Sequence, residues 1–432
     1  MNYIQLRNFI NNRGFLKYFK NTSWLLVDKV LRIILGLFIG VWVAKYLGPK
    51  VFGVFSYVNS VVGLFSAIAA MGLNELIVRE IVKNNIKINT ILGTSFLLKI
   101  IGVFFVFVLL GITICFTKDD YYTNSLIFIL VFGLLFQSFN VIEFYFQSQV
   151  ASKYIFIVNT CALIVSSVLK IALILFKADL IMFVIVTSFD FVIIAIGYIY
   201  IYKKKTAFTV FKWGWDSSLA KSLLKESWPL IISSLSFVIY NNIDAIMLKN
   251  MMDDYSVGVY SAASRLTFPW QFIPGLIISS LMPALVSSHQ NSFKLFHSRI
   301  KQLGSLLIWI AILMSVFYSL FSDEIIRLTF GAEFIDASGI MVYLIWANVL
   351  IFFNSLWNRW MLIEGNTKIT FYFSLTTSVL NIILNYFMII NFGVKGACIS
   401  IIISLFISSF IFYVVIDNRV FKVFYKAFFF IN

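Results

Sequence analysis

The sequence predicts an all-α polytopic membrane protein, with about twelve transmembrane helices in two six-helix lobes related by a pseudo-twofold axis along the membrane normal. Three observations carry this reading. Hydrophobic residues make up 61% of the 432 positions against 12% charged, and the mean hydropathy is +0.94, a balance foreign to soluble domains of this length. Apolar runs of about 20 residues, enough to cross roughly 30 Å of hydrocarbon at 1.5 Å per residue, recur along the whole chain. Short phrases also repeat in the same order in the two halves, which marks a duplicated unit.

The runs occupy 24–46, 51–73, 91–115, 125–148, 155–176 and 180–202, then 228–248, 257–285, 303–322, 339–362, 369–390 and 396–416. "SW" opens the first span of each half, at Ser23-Trp24 and Ser227-Trp228. "FGVFSYVNS" from Phe52 matches "VGVYSAASR" from Val257, which aligns Gly53 with Gly258. "SSVLKIALI" from Ser166 matches "TSVLNIILN" from Thr377, with Lys170 exchanged for Asn381. Six spans per half give both halves the same topology, as in parallel-repeat transporters. The expected parts are a cytoplasmic amphipathic segment 1–23, an N-lobe 24–202, a basic cytoplasmic linker 203–227, a C-lobe 228–416 and a cytoplasmic tail 417–432.

Orientation follows from Lys and Arg. Most of the 34 fall in the N-terminal tail, alternate loops and the C-terminal tail, which places both termini on the cytoplasmic side. The net charge of +15 is spread over these short segments and suits an anionic leaflet. No basic domain exists to bind nucleic acid. In the first 23 residues Arg7, Arg13, Lys17 and Lys20 alternate with Ile4, Leu6, Phe9, Ile10, Phe15 and Phe19. That pattern reads as a surface-lying helix, and no small-residue cleavage site follows the first apolar run. Cys115, Cys161 and Cys398 lie inside apolar spans and are odd in number, so no disulfide framework is expected.

Enzymatic readings lack parts. The two histidines, His289 and His297, share one loop without carboxylates or cysteines at metal spacing. No phosphate-binding glycine loop occurs. Asp119-Asp120 and Asp253-Asp254 lie in short loops as helix caps or solvated charges, and no loop is long enough to hold a catalytic domain. Neither cofactor nor resident metal is expected.

Polar residues inside the spans carry the functional signal, because a charge in hydrocarbon costs at least about 2.5 kcal/mol and needs a partner, water or a route to the interface. Asp28 and Arg32 are four apart on one helical face and able to pair, leaving Lys29 as a net positive charge. Lys99, Lys170 and Arg265 lie deep in their spans, while Arg359 and Glu143 lie near span ends within reach of snorkelling. For Lys170 and Arg265 the alternative reading is a structural ion pair with Asp190 or Asp244. Cations at several depths suit an anionic head group moving between leaflets through charge-assisted hydrogen bonds. Gln137, Asn140 and Glu143 form a helical stripe, as do Asn241 and Asp244, Asn354 and Asn358, and Asn381 and Asn385. Such amides hydrogen-bond between helices or meet sugar hydroxyls in a wet cavity. Pro269, Pro274 and Gly275 predict a bend in span eight, either a gate or a static kink.

At "AKYLGPKVFGVFSYVNS", residues 44–60, and "NFGVKGACIS", residues 391–400, the chain resembles the polysaccharide-biosynthesis transporters, the O-antigen and capsule repeat-unit flippases of the multidrug/oligosaccharidyl-lipid/polysaccharide (MOP) exporter superfamily. The resemblance covers most of the chain and implies a MATE-like, V-shaped pair of lobes around a cationic cavity. It implies a multi-pass protein of the bacterial inner membrane that moves undecaprenyl-pyrophosphate-linked oligosaccharides to the periplasmic leaflet by alternating access. Membrane lipids and polysaccharide polymerase or assembly proteins would be its partners, and H+ or Na+ its coupling ion. Lys29, Arg32, Lys99, Lys170, Arg265 and Arg359 would meet the pyrophosphate. Gln137, Asn140, Asn241, Asn354, Asn358, Asn381 and Asn385 would meet sugars, and Asp28, Glu143, Asp190 and Asp244 would take the coupling ion. A peptidoglycan-precursor lipid flippase, a drug/cation antiporter and, from another class, a non-transporting polymerase or scaffold are the rival readings.

Overall fold

The computed structural model describes residues 13–84, 86–115, 117, 119–206, 209–412 and 425, with side chains from residue 21 onward except Thr367. The expected surface helix over 1–23 and the tail 417–432 therefore lie largely outside the described residues. Within them every regular element is a helix. Among the described residues nine segments are long and apolar enough to cross a membrane by length and composition.

The long helices correspond to the expected spans, two of them fused across glycine turns. Helix α1, Arg13–Ala69, contains spans one and two and breaks at Gly48, where φ is +71°. That backbone region is closed to most L side chains, and Pro49 supplies no N–H to continue the ladder. Helix α2, Asn74–Lys83, is a short connector whose Leu76, Ile77 and Ile81 are buried. Span three is α3, Ile88–Ile114. Span four is interrupted: α4, Tyr121–Gln137, passes through a 3₁₀ turn, Ser138–Asn140, into α5, Val141–Ser148. Spans five and six are α6, Ser152–Leu175, and α7, Leu180–Lys205.

Span seven is α8, Ser217–Met251. It begins well before the expected position 228, because Asp216 Oδ1 accepts from the N–H groups of Ser218 at 2.8 Å and Leu219 at 3.1 Å and nucleates the helix inside the linker. Span eight bends as its prolines require. Helix α9, Asp254–Thr267, meets a 3₁₀ segment at Phe268–Gln271 and continues as α10, Phe272–Asn291. The Thr267 carbonyl at the break accepts from Asn348 Nδ2 at 3.2 Å, and Trp270 Nε1 donates to the Tyr318 hydroxyl at 2.8 Å, so neighbouring helices hold the bend. Then follow α11, Phe293–Leu320, the short α12, Ser322–Thr329, and α13, Ala337–Ile363. Helix α14, Thr367–Phe410, contains spans eleven and twelve, turning at Gly393 with φ +59°. A Cβ at Gly396 would lie 2.0 Å from the Met388 carbonyl oxygen, so the two arms meet backbone to backbone.

The chain divides into two compact units: 1–43 with 61–235, and 44–60 with 236–432. These differ from the expected lobes chiefly in that 44–60, the tip of the first hairpin, packs with the second half. The reason is a helix crossing between the repeated phrases. A Cβ at Gly53 would fall 1.7 Å from the Asp254 carbonyl oxygen, and one at Gly258 would fall 1.9 Å from that of Pro49. Each glycine thus meets the carbonyl four residues before its repeat mate, and two glycines allow what no other residue would.

Each unit has its own core. In the first, Leu73, Ile77, Leu92, Val141, Tyr198 and Tyr202 pack together, with Trp213 of the linker against them. In the second, Phe296, Ile300, Leu307, Phe352, Trp357 and Trp360 do so. Outside these cores the spans leave large apolar side chains uncovered, Phe38, Trp42, Phe104 and Phe105 among them, each more than half exposed. Such surface is what lipid tails cover. The chain is a multi-pass membrane protein.

Candidate polar sites of the two units

The first unit gathers its polar side chains where α1, α3, α5 and α7 carry them. Asp28 accepts from Arg32 Nη2 at 2.9 Å, one helical turn away; the carboxylate is buried and half of the guanidinium side chain is exposed. Lys29, the next residue round the helix, is exposed. Glu143 faces the Tyr198 hydroxyl and lies within electrostatic range of Arg32 and Lys99. That hydroxyl also donates to Asn159 Oδ1 at 3.3 Å.

Lys99 is 5% exposed. Its ammonium donates to Asn74 Oδ1 at 2.8 Å and lies 4.8 Å from the centre of the Phe144 ring, a cation–π contact. A cavity of about 50 Å³ opens beside it, lined by Asn74, Gln137, Ser138, Asn140 and Phe144 among others. Gln137 and Asn140 therefore line the same cavity as Lys99, at the 3₁₀ interruption of span four. Elsewhere in this unit Lys170 Nζ lies 3.2 Å from Asp190 Oδ2. The structural alternative considered for Lys170, an ion pair with Asp190, is the arrangement found.

The second unit has a buried carboxylate at its centre. Asp244 on α8 is 1% exposed; its Oδ2 accepts from the Tyr260 hydroxyl at 2.7 Å and its Oδ1 from Asn385 Nδ2 at 2.6 Å. Asn385 Nδ2 also reaches Asn381 Oδ1 at 3.2 Å, and both amides are fully buried. Asn381 Nδ2 and Asn385 Oδ1 have no hydrogen-bond partner. Span eleven's stripe thus turns toward Asp244 of span seven. The helical period revealed that Asn381 and Asn385 share a face but not which neighbour that face meets.

Arg265 makes no ion pair with Asp244. Its guanidinium lies 5.3 Å from the centre of the Phe52 ring, and no described carboxylate pairs with it. Asn354 accepts from Ser409 Oγ at 3.2 Å, Asn358 is half-buried, and Arg359 is exposed. Asn241 Nδ2 donates to the Phe237 carbonyl of its own helix at 2.7 Å. Pro269 lies in the 3₁₀ break, Pro274 is buried in the first turn of α10, and Gly275 beside it is exposed. Among the described residues no group of three or more His, Cys, Asp or Glu could hold a metal ion.

The sequence matches the polysaccharide biosynthesis protein family over residues 18–289. The chain belongs to that family. The MatE family also matches, over residues 229–387. A curated relative, the probable low-salt glycan biosynthesis flippase Agl15 of Haloferax volcanii, is 26% identical over 188 residues, which is 43% of this chain and 39% of the relative's length. Among solved structures, the inward-facing conformation of a multidrug resistance MATE family transporter of the MOP superfamily has a TM-score of 0.73 at 14% identity, covering 93% of this chain and 98% of that one. The lipid II flippase MurJ, in an inward closed conformation, has a TM-score of 0.59 at 17% identity, covering 95% and 91%. This polysaccharide biosynthesis family member therefore has the MATE-like fold expected.

Proposed function

We propose that the protein is a flippase for lipid-linked oligosaccharides, turning undecaprenyl-pyrophosphate-linked repeat units of O-antigen or capsule from the cytoplasmic to the periplasmic leaflet of the inner membrane. Transport would proceed by alternating access driven by H+ or Na+ antiport. Membership of the polysaccharide biosynthesis family supports a glycan cargo. The observation within the chain that supports it is the exposure of intramembrane cations and, at Arg265, an aromatic neighbour in place of a described carboxylate. Lys29 and Arg359 are exposed, and Arg265 has an aromatic ring rather than a carboxylate beside it. These groups suit a pyrophosphate, which has to replace lost hydration with charge-assisted donors. Lys170 is taken up by Asp190 and has less to offer.

Coupling is assigned to Asp244. In the first half the carboxylate Asp190 is met by Lys170, a cation built into the chain. In the second half the repeat mate of Lys170 is Asn381, and the carboxylate there has only a hydroxyl and amides around it. Asp244 is on span seven and is not the repeat mate of Asp190, but with only neutral donors around it, its buried negative charge is one that an exchangeable H+ or Na+ can neutralise.

The test is leaflet-resolved accumulation of the lipid-linked sugar in a deletion strain carrying wild type, Lys29→Ala or Arg265→Ala. The expected result is cargo trapped on the cytoplasmic side in both variants with normal protein abundance. Normal periplasmic delivery in both would rule out the cationic route.

A further inference from the structure

The space beside Lys99 is a poor fit for the cargo's diphosphate. At about 50 Å³ it has room for a few waters, whereas a diphosphate brings nine heavy atoms. Its lining is nevertheless built for negative charge. The Lys99 ammonium is 5% exposed, is held on one side by Asn74 and Phe144, and belongs to no ion pair among the described residues. Ser138, 2% exposed, lines the same cavity, and its hydroxyl has no hydrogen-bond partner. The side-chain oxygen of Asn140 is also unmatched as placed, and turning that amide over would aim its N–H groups there instead. Gln137 and Asn140 add amides that can present N–H groups. No carboxylate is among the lining residues.

A buried ammonium with spare donor capacity and an orphaned hydroxyl is costly unless something accepts from them. Water could accept, and Glu143 lies within electrostatic range of Lys99, but no carboxylate lines the cavity itself. A single small anion accepts from both groups and compensates the charge there. The 3₁₀ turn at Ser138–Asn140 lies at the cavity wall, where Ser138 and Asn140 line it beside Gln137.

We propose that the cavity between α3, α4 and the turn of span four is a halide-sized anion site, with Lys99 and Ser138 as its principal donors and the amides of Asn140 and Gln137 completing it. The bound ion compensates Lys99 and ties α3 to the interrupted span, so it stabilises the first unit. This reading does not depend on the nature of the cargo.

The experiment is thermal unfolding of the purified full chain in detergent, titrated with sodium chloride or bromide against sodium gluconate at constant sodium and ionic strength. Constant sodium removes any contribution from the Asp244 site. Wild type should show a saturable rise in midpoint with either halide. Ser138→Ala, which keeps the volume nearly unchanged, should weaken the apparent halide affinity about tenfold for the loss of one charge-assisted bond, and Lys99→Met should abolish the rise. Bromide-soaked crystals should give an anomalous peak within hydrogen-bond range of Lys99 Nζ. An equal midpoint in gluconate and halide overturns the proposal, as does a halide response of wild-type strength in Ser138→Ala. Stabilisation by inorganic pyrophosphate in gluconate, lost in Lys99→Met and without any halide effect, also overturns it and returns Lys99 to cargo binding.

Discussion

Asp244 separates two kinds of intramembrane charge in this protein, one fully buried and one half-buried. Lys170 and Asp190 neutralise one another, whereas Asp244 depends on Tyr260 and two asparagines for stabilisation without charge. Asp244→Asn keeps the shape and removes the ionisable group. It should leave insertion and abundance intact and lower delivery of cargo by at least about tenfold, with loss of the dependence on the pH or sodium gradient, as read by flux into inverted vesicles. Lys170→Met should behave differently, exposing Asp190 as an uncompensated charge and lowering thermal stability by about 3 kcal/mol. The double change Lys170→Met with Asp190→Leu should restore most of it. At the membrane surface, Asp253 caps α9 by accepting from the Ser256 N–H at 2.8 Å. These hydrogen bonds hold its carboxyl below the usual range. Because the folded value is depressed, the cap's stabilisation is present above the unfolded carboxylate pKa and is lost as pH falls through the lower folded one. Asp253→Ala should cost about 1 kcal/mol at neutral pH and flatten the acid limb of the stability profile.

The spans themselves were legible, because hydropathy over about 20 residues reports a property that bilayer thickness enforces. So was the bend of span eight, since Pro269 cannot donate to the helical ladder. The break in span four was not legible. Neither proline nor glycine stands at Ser138–Asn140, so no local residue type marks the break. The partner of Asn381 and Asn385 was equally hidden, because periodicity fixes a face and not its neighbour. The assignment of 44–60 to the second unit had a signal in the paired glycines, but duplication alone does not say that repeat mates touch. That crossing gives an element-scale prediction. Gly53→Ala and Gly258→Ala each place a methyl within 2 Å of a carbonyl oxygen of the other helix, so each should separate the helices and lower the unfolding midpoint markedly. Gly36→Ala, whose Cβ would meet nothing within 4 Å, should be neutral. Equal midpoints for all three would mean that the crossing contributes no stability.

At the scale of the whole molecule, the charge pattern predicts which way the chain runs. The linker carries Lys203, Lys204, Lys205, Lys212, Lys221 and Lys225, and one of its neighbours in the fold is also charged: Arg79 of α2 bonds Glu226 at 2.6 Å and Glu80 at 2.9 Å. These pairs raise the already high pKa of Arg79, so it stays charged at every physiological pH. Translocating so many fixed cations would be opposed both by the anionic inner leaflet and by the membrane potential, about 2.3 kcal/mol per charge per 100 mV. The linker and α2 should therefore face the cytoplasm, and the short loop at Asp119-Asp120 should face outward. Single cysteines test this in a background with Cys115, Cys161 and Cys398 replaced by serine or alanine. In intact cells a membrane-impermeant maleimide should label Asp119→Cys and spare Lys212→Cys, and permeabilisation should expose Lys212→Cys as well. Labelling of the linker position before permeabilisation would reverse the topology. It would also remove the ground for a cargo that starts on the cytoplasmic side, because Lys29 and Arg32 would then lie nearer the opposite leaflet.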